Sequence, residues 1–95
     1  MKRDLEHERV LSIVFNLSPA QASVLSALVR GTVIPANELL EYTGVKPPIK
    51  VVVSHTRSKL RTHGFDIKSR LLVGYWMEPD DKEGVEKRVT EWVSR

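Results

Sequence analysis

The sequence predicts a mainly α-helical domain carrying one small β-hairpin, on three observations. Apolar residues recur at helical spacing in several separate stretches, and helix-start and helix-stop residues punctuate those stretches. Only between Phe65 and Met77 does the pattern change to strand, tight turn, strand. At 95 residues, 41% apolar and 28% charged, the chain suits a single globular domain with a modest core and leaves no room for a second catalytic or receiver domain.

The first stretch, Asp4 to Leu17, reads as a structural helix. Its apolar residues Leu5, Val10, Ile13, Val14 and Leu17 fall on one stripe, which Leu11 and Phe15 widen. At Ser18 the signals for a new helix converge: a serine N-cap, Pro19 at the first helical position and Gln21 to complete a capping box. Helix is expected over Ala20 to Arg30, with Val24, Leu25, Leu28 and Val29 inward and Gly31 as a left-handed stop. The β-branched Thr32-Val33-Ile34 reads as a very short strand, ended by Pro35.

A short helix from Ala36 to Tyr42 follows, with Leu39 and Leu40 inward; Thr43 and Gly44 close it, and Val45-Lys46-Pro47-Pro48 turns the chain. The next helix runs from near Pro48 to about His63. Ile49, Val52, Val53, Thr56 and Leu60 line one face, and Lys50, Ser54, His55, Arg57, Ser58, Arg61 and Thr62 the other. Val51 sits on the border, free either to enter the core or to touch a thymine methyl. Three consecutive valines lean towards strand, but tertiary context overrides so weak a preference.

In the hairpin that follows, Ile67, Val73, Tyr75 and Met77 carry the apolar side chains, and Gly74 gives backbone freedom near the bend. After Pro79, Asp80 or Asp81 can cap a last helix over Lys82 to Ser94, with Val85, Val89, Trp92 and Val93 on one face. The whole is read as one domain over 1–95: an N-terminal helix to residue 17, a core over 18–77 and a C-terminal helix over 80–95. That order of elements is the order of a winged helix-turn-helix with an extra helix at each end, in which the helices supply the layer a two-stranded hairpin needs.

Charge is unevenly spread. The net +3 conceals a block, residues 46–70, with seven basic side chains and one acidic, set between two slightly acidic flanks. Such a block suits a polyphosphate partner. A helix fits the DNA major groove, whose edges distinguish all four base pairs, and it needs a solvent face of small polar and cationic residues like that of Lys50 to Arg61.

Four separated segments also resemble the DNA-binding effector domain of OmpR/PhoB-type response regulators. They are Leu17-Ser-Pro-Ala-Gln21, Val33-Ile-Pro-Ala-Asn-Glu-Leu-Leu40, Val51-Val-Val-Ser-His-Thr-Arg-Ser-Lys-Leu60 and Ile67-Lys-Ser-Arg-Leu-Leu-Val-Gly-Tyr75, in that family's order and spacing. The resemblance covers Leu17 to Met77. It implies a bacterial or phage transcription regulator, with Arg57 and Lys59 on phosphates or base edges and Ser54 and His55 facing the groove. His55 stands where the family has arginine, so an arginine's bidentate guanine contact is not implied there.

In the wing, Ser69, Gly74 and Tyr75 match, but Leu71 and Leu72 replace the family's arginine and glycine, and the cation moves to Arg70. The tip could reach the minor groove through Arg70 or Lys68, or Leu71 and Leu72 could form an apolar wedge or a protein contact. The family's N-terminal sheet and receiver domain are not expected, so neither is phospho-aspartate control. Its polymerase-touching loop is short here, at Thr43 to Pro48.

The expectation is therefore a sequence-specific double-stranded DNA binder using Lys50, Val51, Ser54, His55, Arg57, Ser58, Lys59, Arg61, Lys68, Ser69 and Arg70. The alternative is a protein-interaction module that binds RNA polymerase or another regulator through Leu71, Leu72 and the last helix, whose Val85, Val89, Trp92 and Val93 could equally form a homodimer contact or cap their own core. Trp92 is expected to be buried in either case. Tyr75 is expected to pack beneath the long basic helix, although with Trp76 it could stack on bases.

No enzyme, cofactor or metal is expected. His55 and His63 lie ~12 Å apart along a helix, neighbouring Ser54 and His55 point about 100° apart, and there are no cysteines. The apolar runs fall far short of the ~20 residues of a membrane span. MKRDLEHER is too charged for a signal peptide, which suits a soluble, cytoplasmic, nucleoid-associated protein.

Overall fold

A computed structural model describes residues 2–46 and 48–95. Five helices and two strands follow in the order α1 (Leu5–Phe15), α2 (Pro19–Arg30), α3 (Ala36–Thr43), α4 (Ile49–Arg61), β1 (Lys68–Arg70), β2 (Gly74–Trp76) and α5 (Pro79–Val93). The architecture is mainly helical with one antiparallel hairpin, as expected. Pro47, in the predicted turn before α4, lies outside the described residues.

Helix α2 is the centre of the molecule. Every residue from Ala22 to Leu28 is buried, because α1, α3, α4, α5 and β2 pack around it. The sequence reading gave it one inward stripe. Burial all round is possible because Ala22, Ser23, Ser26 and Ala27 are small, and the serine hydroxyls are satisfied: Ser23 donates to the Ala20 carbonyl at 2.7 Å, and Ser26 Oγ lies 2.8 Å from His7 Nδ1. The helix begins as predicted, with the full Ser18–Gln21 capping box and Pro19 in the first turn.

Gly31 does not end α2 in the left-handed region; its φ is −97°. It is glycine for space, since an added Cβ would lie 3.0 Å from both the Ala27 carbonyl oxygen and Ile34 Cδ1. The left-handed stops are instead Asn16 after α1 and Gly44 after α3. Asn16 also changes the buried face of α1. The helix ends at Phe15, so Leu17 reaches the core through the turn, and the inward residues are Glu8, Val10, Leu11 and Phe15 while Leu5 and Ile13 face out. Glu8 tolerates burial because Arg3 donates to its carboxylate at 2.6 and 3.0 Å.

Of the strand expected at Thr32–Ile34, only Ile34 pairs. It exchanges two 2.9 Å hydrogen bonds with Tyr75, so β2 lies between β1 and Ile34. Gly74 makes this approach possible: its φ is +137°, and a Cβ there would fall on the Ile34 carbonyl. Ile67 and Met77 anchor the two ends of the hairpin in the core, whereas Val73 is exposed at the turn.

Helix α5 starts at Pro79, earlier than expected, so Asp80 and Asp81 lie in its first turn, favourably placed for the helix dipole, and Glu78 occupies the cap position. Only Val85 is fully buried. Val89 is half-buried, but Trp92 is 36% and Val93 61% exposed, because α5 runs on beyond the body it packs against. Of the two expected ways of burying Trp92, full burial against its own domain is not observed.

Among the described residues no single helix is long and apolar enough to cross a membrane. The bent pair α1 and α2 has a suitable composition, but most of its apolar residues belong to the core.

Candidate nucleic-acid interface

The residues of α4 separate cleanly by side. Ile49, Val53, Thr56 and Leu60 are buried, while Lys50, Val51, Ser54, His55, Ser58, Arg61 and Thr62 are exposed. At 100° per residue the exposed set spans a single continuous arc. Val51 is 46% exposed, which resolves its border position in favour of solvent. Thr56 turns its hydroxyl back to the Val52 carbonyl at 2.8 Å and presents its methyl to the core. Among the described residues, Lys50, Ser54, His55 and Ser58 have no side-chain hydrogen-bond partner, so their donors and acceptors remain directed to solvent.

Arg57 and Lys59 flank that arc and are engaged within the protein. Arg57 Nε donates to the Ile67 carbonyl at 2.8 Å and lies 3.5 Å from Asp66 Oδ1. Lys59 Nζ donates to the Asn16 carbonyl at 2.8 Å and to Gln21 Oε1 at 3.0 Å, tying α4 to the loop between α1 and α2. Two cations read from the sequence as groove contacts thus hold the helix against its neighbours.

Asp66 organises the junction between α4 and the hairpin. Its carboxylate accepts from the Ile67 N–H at 2.8 Å and faces Arg61 Nε at 3.3 Å and Lys68 Nζ at 3.6 Å as well as Arg57. Partial burial works against the charged form, but the Ile67 N–H and the guanidinium groups of Arg61 and Arg57 outweigh it and hold the carboxyl below its ordinary value. The only acid in the basic block therefore stays ionised and sets the spacing of three cations.

In the wing, Lys68, Ser69 and Arg70 are all exposed. The turn Arg70–Val73 is closed by the Val73 N–H donating to the Arg70 carbonyl at 3.0 Å, and its third residue, Leu72, has a φ of +66°. This is the pattern of a type II turn, whose third position favours glycine. Leucine in that region costs about 1–2 kcal/mol relative to a right-handed conformation. Leu71 and Leu72 are nevertheless the most exposed apolar side chains described, at 88% and 99%.

The wing and the N-terminal end of α4 meet at an open groove of about 610 Å³, lined by Ser69 to Tyr75, Lys50 and Pro35-Ala36-Asn37 at the start of α3. Residues 35–37 belong to a segment that carries the family resemblance, but nothing in the sequence placed them at the wing; the pairing of Ile34 with Tyr75 brings them beside it. Tyr75 is half-buried against the core, and Trp76 is half-buried with Nε1 donating to Glu78 at 3.3 Å. Of the expected partner-contact residues, Val85 belongs to the protein's own core, leaving Leu71, Leu72, Trp92 and Val93 as exposed apolar groups.

One further constellation was not visible in the sequence. His7 joins Ser26, 2.8 Å from Nδ1, to Glu86, 2.7 Å from Nε2, in a serine–histidine–carboxylate line drawn from α1, α2 and α5. Ser26 is fully buried, so no substrate carbonyl can approach its hydroxyl; the line acts as a tie between three helices. No group of three or more histidine or acidic side chains suited to a metal ion occurs among the described residues. No family model, curated protein or solved structure matches the chain.

Proposed function

We propose that the protein is a sequence-specific double-stranded DNA-binding regulator of transcription, working in the manner of the OmpR/PhoB-type domains that its sequence resembles, in the cytoplasm at the nucleoid. The exposed arc of α4 enters the major groove, and the wing rests on the adjacent minor groove and backbone. The observation that carries this reading is the uncommitted face of α4: Lys50, Ser54, His55 and Ser58 project small polar and cationic groups opposite a buried apolar face, with Arg61 at the far end. A helix that presents this face to a duplex meets base edges with donors and acceptors that no protein group has claimed. Phosphate contacts come from Lys50, Arg61, Lys68 and Arg70, and Arg57 acts from behind.

Fluorescence anisotropy with a labelled duplex, repeated across salt concentrations, tests this. With about 4 to 6 phosphates neutralised, the log–log slope of affinity against salt should lie near −4 to −5. A flat salt dependence, or no binding to sequences selected from a random pool, removes the reading.

A second reading is favoured by the exposed Leu71–Leu72 pair together with Trp92 and Val93: a module that binds RNA polymerase or another regulator, or a second copy of itself. Capture of purified polymerase in nuclease-treated buffer, by a protein that fails the anisotropy test, would favour it.

A further inference from the structure

We propose that the wing tip is a wedge: Leu72, supported by Leu71, enters the minor groove beside the α4 site, parts a base step and bends the duplex. The proposal rests on the reading of α4 as a major-groove helix, and it assigns to the wing a deformation of DNA beyond simple contact with the backbone.

Four observations support it. Leu72 occupies a left-handed turn position at a φ of +66° and is 99% exposed, so the strain secures no packing within the protein. A glycine there would relax the turn, whereas a leucine presents an apolar group at the outermost point of the hairpin.

The surroundings of the tip select its partner. Lys68 and Arg70 stand on the strand leading to it, Lys50 lines the same groove, and no acidic residue occurs from Ile67 to Met77. An apolar point flanked by cations, with Asp66 at the foot of the wing as the nearest acid in sequence, matches a polyanion with a stacked apolar interior. Proteins that bend DNA through the minor groove use leucine and similar side chains as wedges in this way, producing kinks of about 20–90°.

The mounting is rigid, as parting stacked bases requires. The hairpin is held at its base by the paired hydrogen bonds of Tyr75 with Ile34, by Arg57 on the Ile67 carbonyl, and by Ile67 and Met77 in the core. The wedge also stands near the proposed major-groove element, because Lys50 of α4 and residues 69–75 line one groove.

The test uses a duplex of about 30 base pairs, selected from a random pool by the full-length protein and labelled at both ends for energy transfer, with 2-aminopurine placed at the step under the wing. Binding is first established by anisotropy. Wild-type protein should shorten the end-to-end distance and raise 2-aminopurine fluorescence. L72G, which relaxes the turn, should melt at least as high as wild type yet lose most of both signals and bind roughly tenfold more weakly. L71A/L72A should behave likewise, while R70A should weaken binding with the bend retained.

A wild-type complex with straight, stacked DNA overturns the wedge and leaves the proposed function standing. So does an L72G complex with an unchanged bend. Wild-type protein that binds no duplex overturns both. Loss of polymerase capture by L72G, with the DNA signals unchanged, would assign the tip to a protein partner and overturn the wedge.

Discussion

Arg57 Nε donates to the Ile67 carbonyl oxygen at 2.8 Å, joining the recognition-like helix α4 to the foot of the wing. The side chain is therefore a brace between the two parts of the proposed DNA-binding unit. Removing it leaves the Ile67 carbonyl without its charged donor and Asp66 with one cation fewer. Arg57→Ala should lower unfolding free energy by about 1–2 kcal/mol in urea titrations. It should also weaken specific DNA binding at least tenfold while the protein stays folded. Arg57→Lys separates brace from charge, because lysine keeps the positive charge but lacks the planar guanidinium. Equal losses for both variants place the effect in wing positioning. Full rescue by lysine would make Arg57 a plain phosphate contact.

The Asp66 carboxyl, held below its ordinary value of 3.8, makes stability depend on acid. A carboxyl with a depressed folded-state pKa contributes stability that is fully present above the unfolded value and lost as pH falls through the folded one. Urea midpoints of wild type and Asp66→Asn should therefore differ at pH 6 and converge towards pH 2. Asp66→Asn should also steepen the salt dependence of non-specific DNA binding, since Arg61, Lys68 and Arg57 lose their shared counter-charge. A pH-independent difference would show that the asparagine acts through local packing and not through lost charge.

Helix α5 divides between an N-terminal part anchored to the body and an exposed end. Val85 is fully buried, His7 reaches Glu86, Arg88 sits 5.6 Å above the Phe65 ring, and Lys82 donates to the Gly31 carbonyl at 2.7 Å. Val85→Ala should cost about 1–3 kcal/mol, in line with a lost buried aliphatic group. Trp92→Ala with Val93→Ala should change stability by less than ~0.5 kcal/mol. Sedimentation of that double variant then reads association alone: a shift from dimer to monomer would place a second copy on this end of α5. Removing Lys82 to Arg95 is a poorer test, since it takes part of the core with it.

The features legible in the sequence were those fixed by local chemistry. The Ser18–Gln21 capping box and the buried face of α4 each follow from residues a few places apart. The direction of a border cation does not. Arg57 and Lys59 lie at the two edges of the exposed arc, and which way each turns depends on the carbonyls of Ile67 and Asn16, placed by distant packing. The Ser26 hydroxyl similarly finds its partner in His7, 19 residues away, so polar residues on α2 disguised a helix buried all round. Periodicity placed Trp92 on the apolar face of α5, but it does not record whether another element of the same chain extends far enough to cover it.

His55 is the last point at which the proposed interface departs from the pattern it resembles. It is exposed midway along the length of α4, at the edge of the arc next to Lys59, without a side-chain partner among the described residues. Arginine at this place could extend two parallel N–H groups to the O6 and N7 of a guanine, worth about 1–3 kcal/mol of discrimination. His55→Arg should therefore leave thermal stability unchanged, because no protein contact is broken. Random-pool selection with the variant should enrich guanine at one position of the bound site, and affinity for that site should exceed wild type by roughly tenfold. Selection of the same sequences by both proteins would mean that position 55 does not face the bases, and would require a different docking of α4 on the duplex.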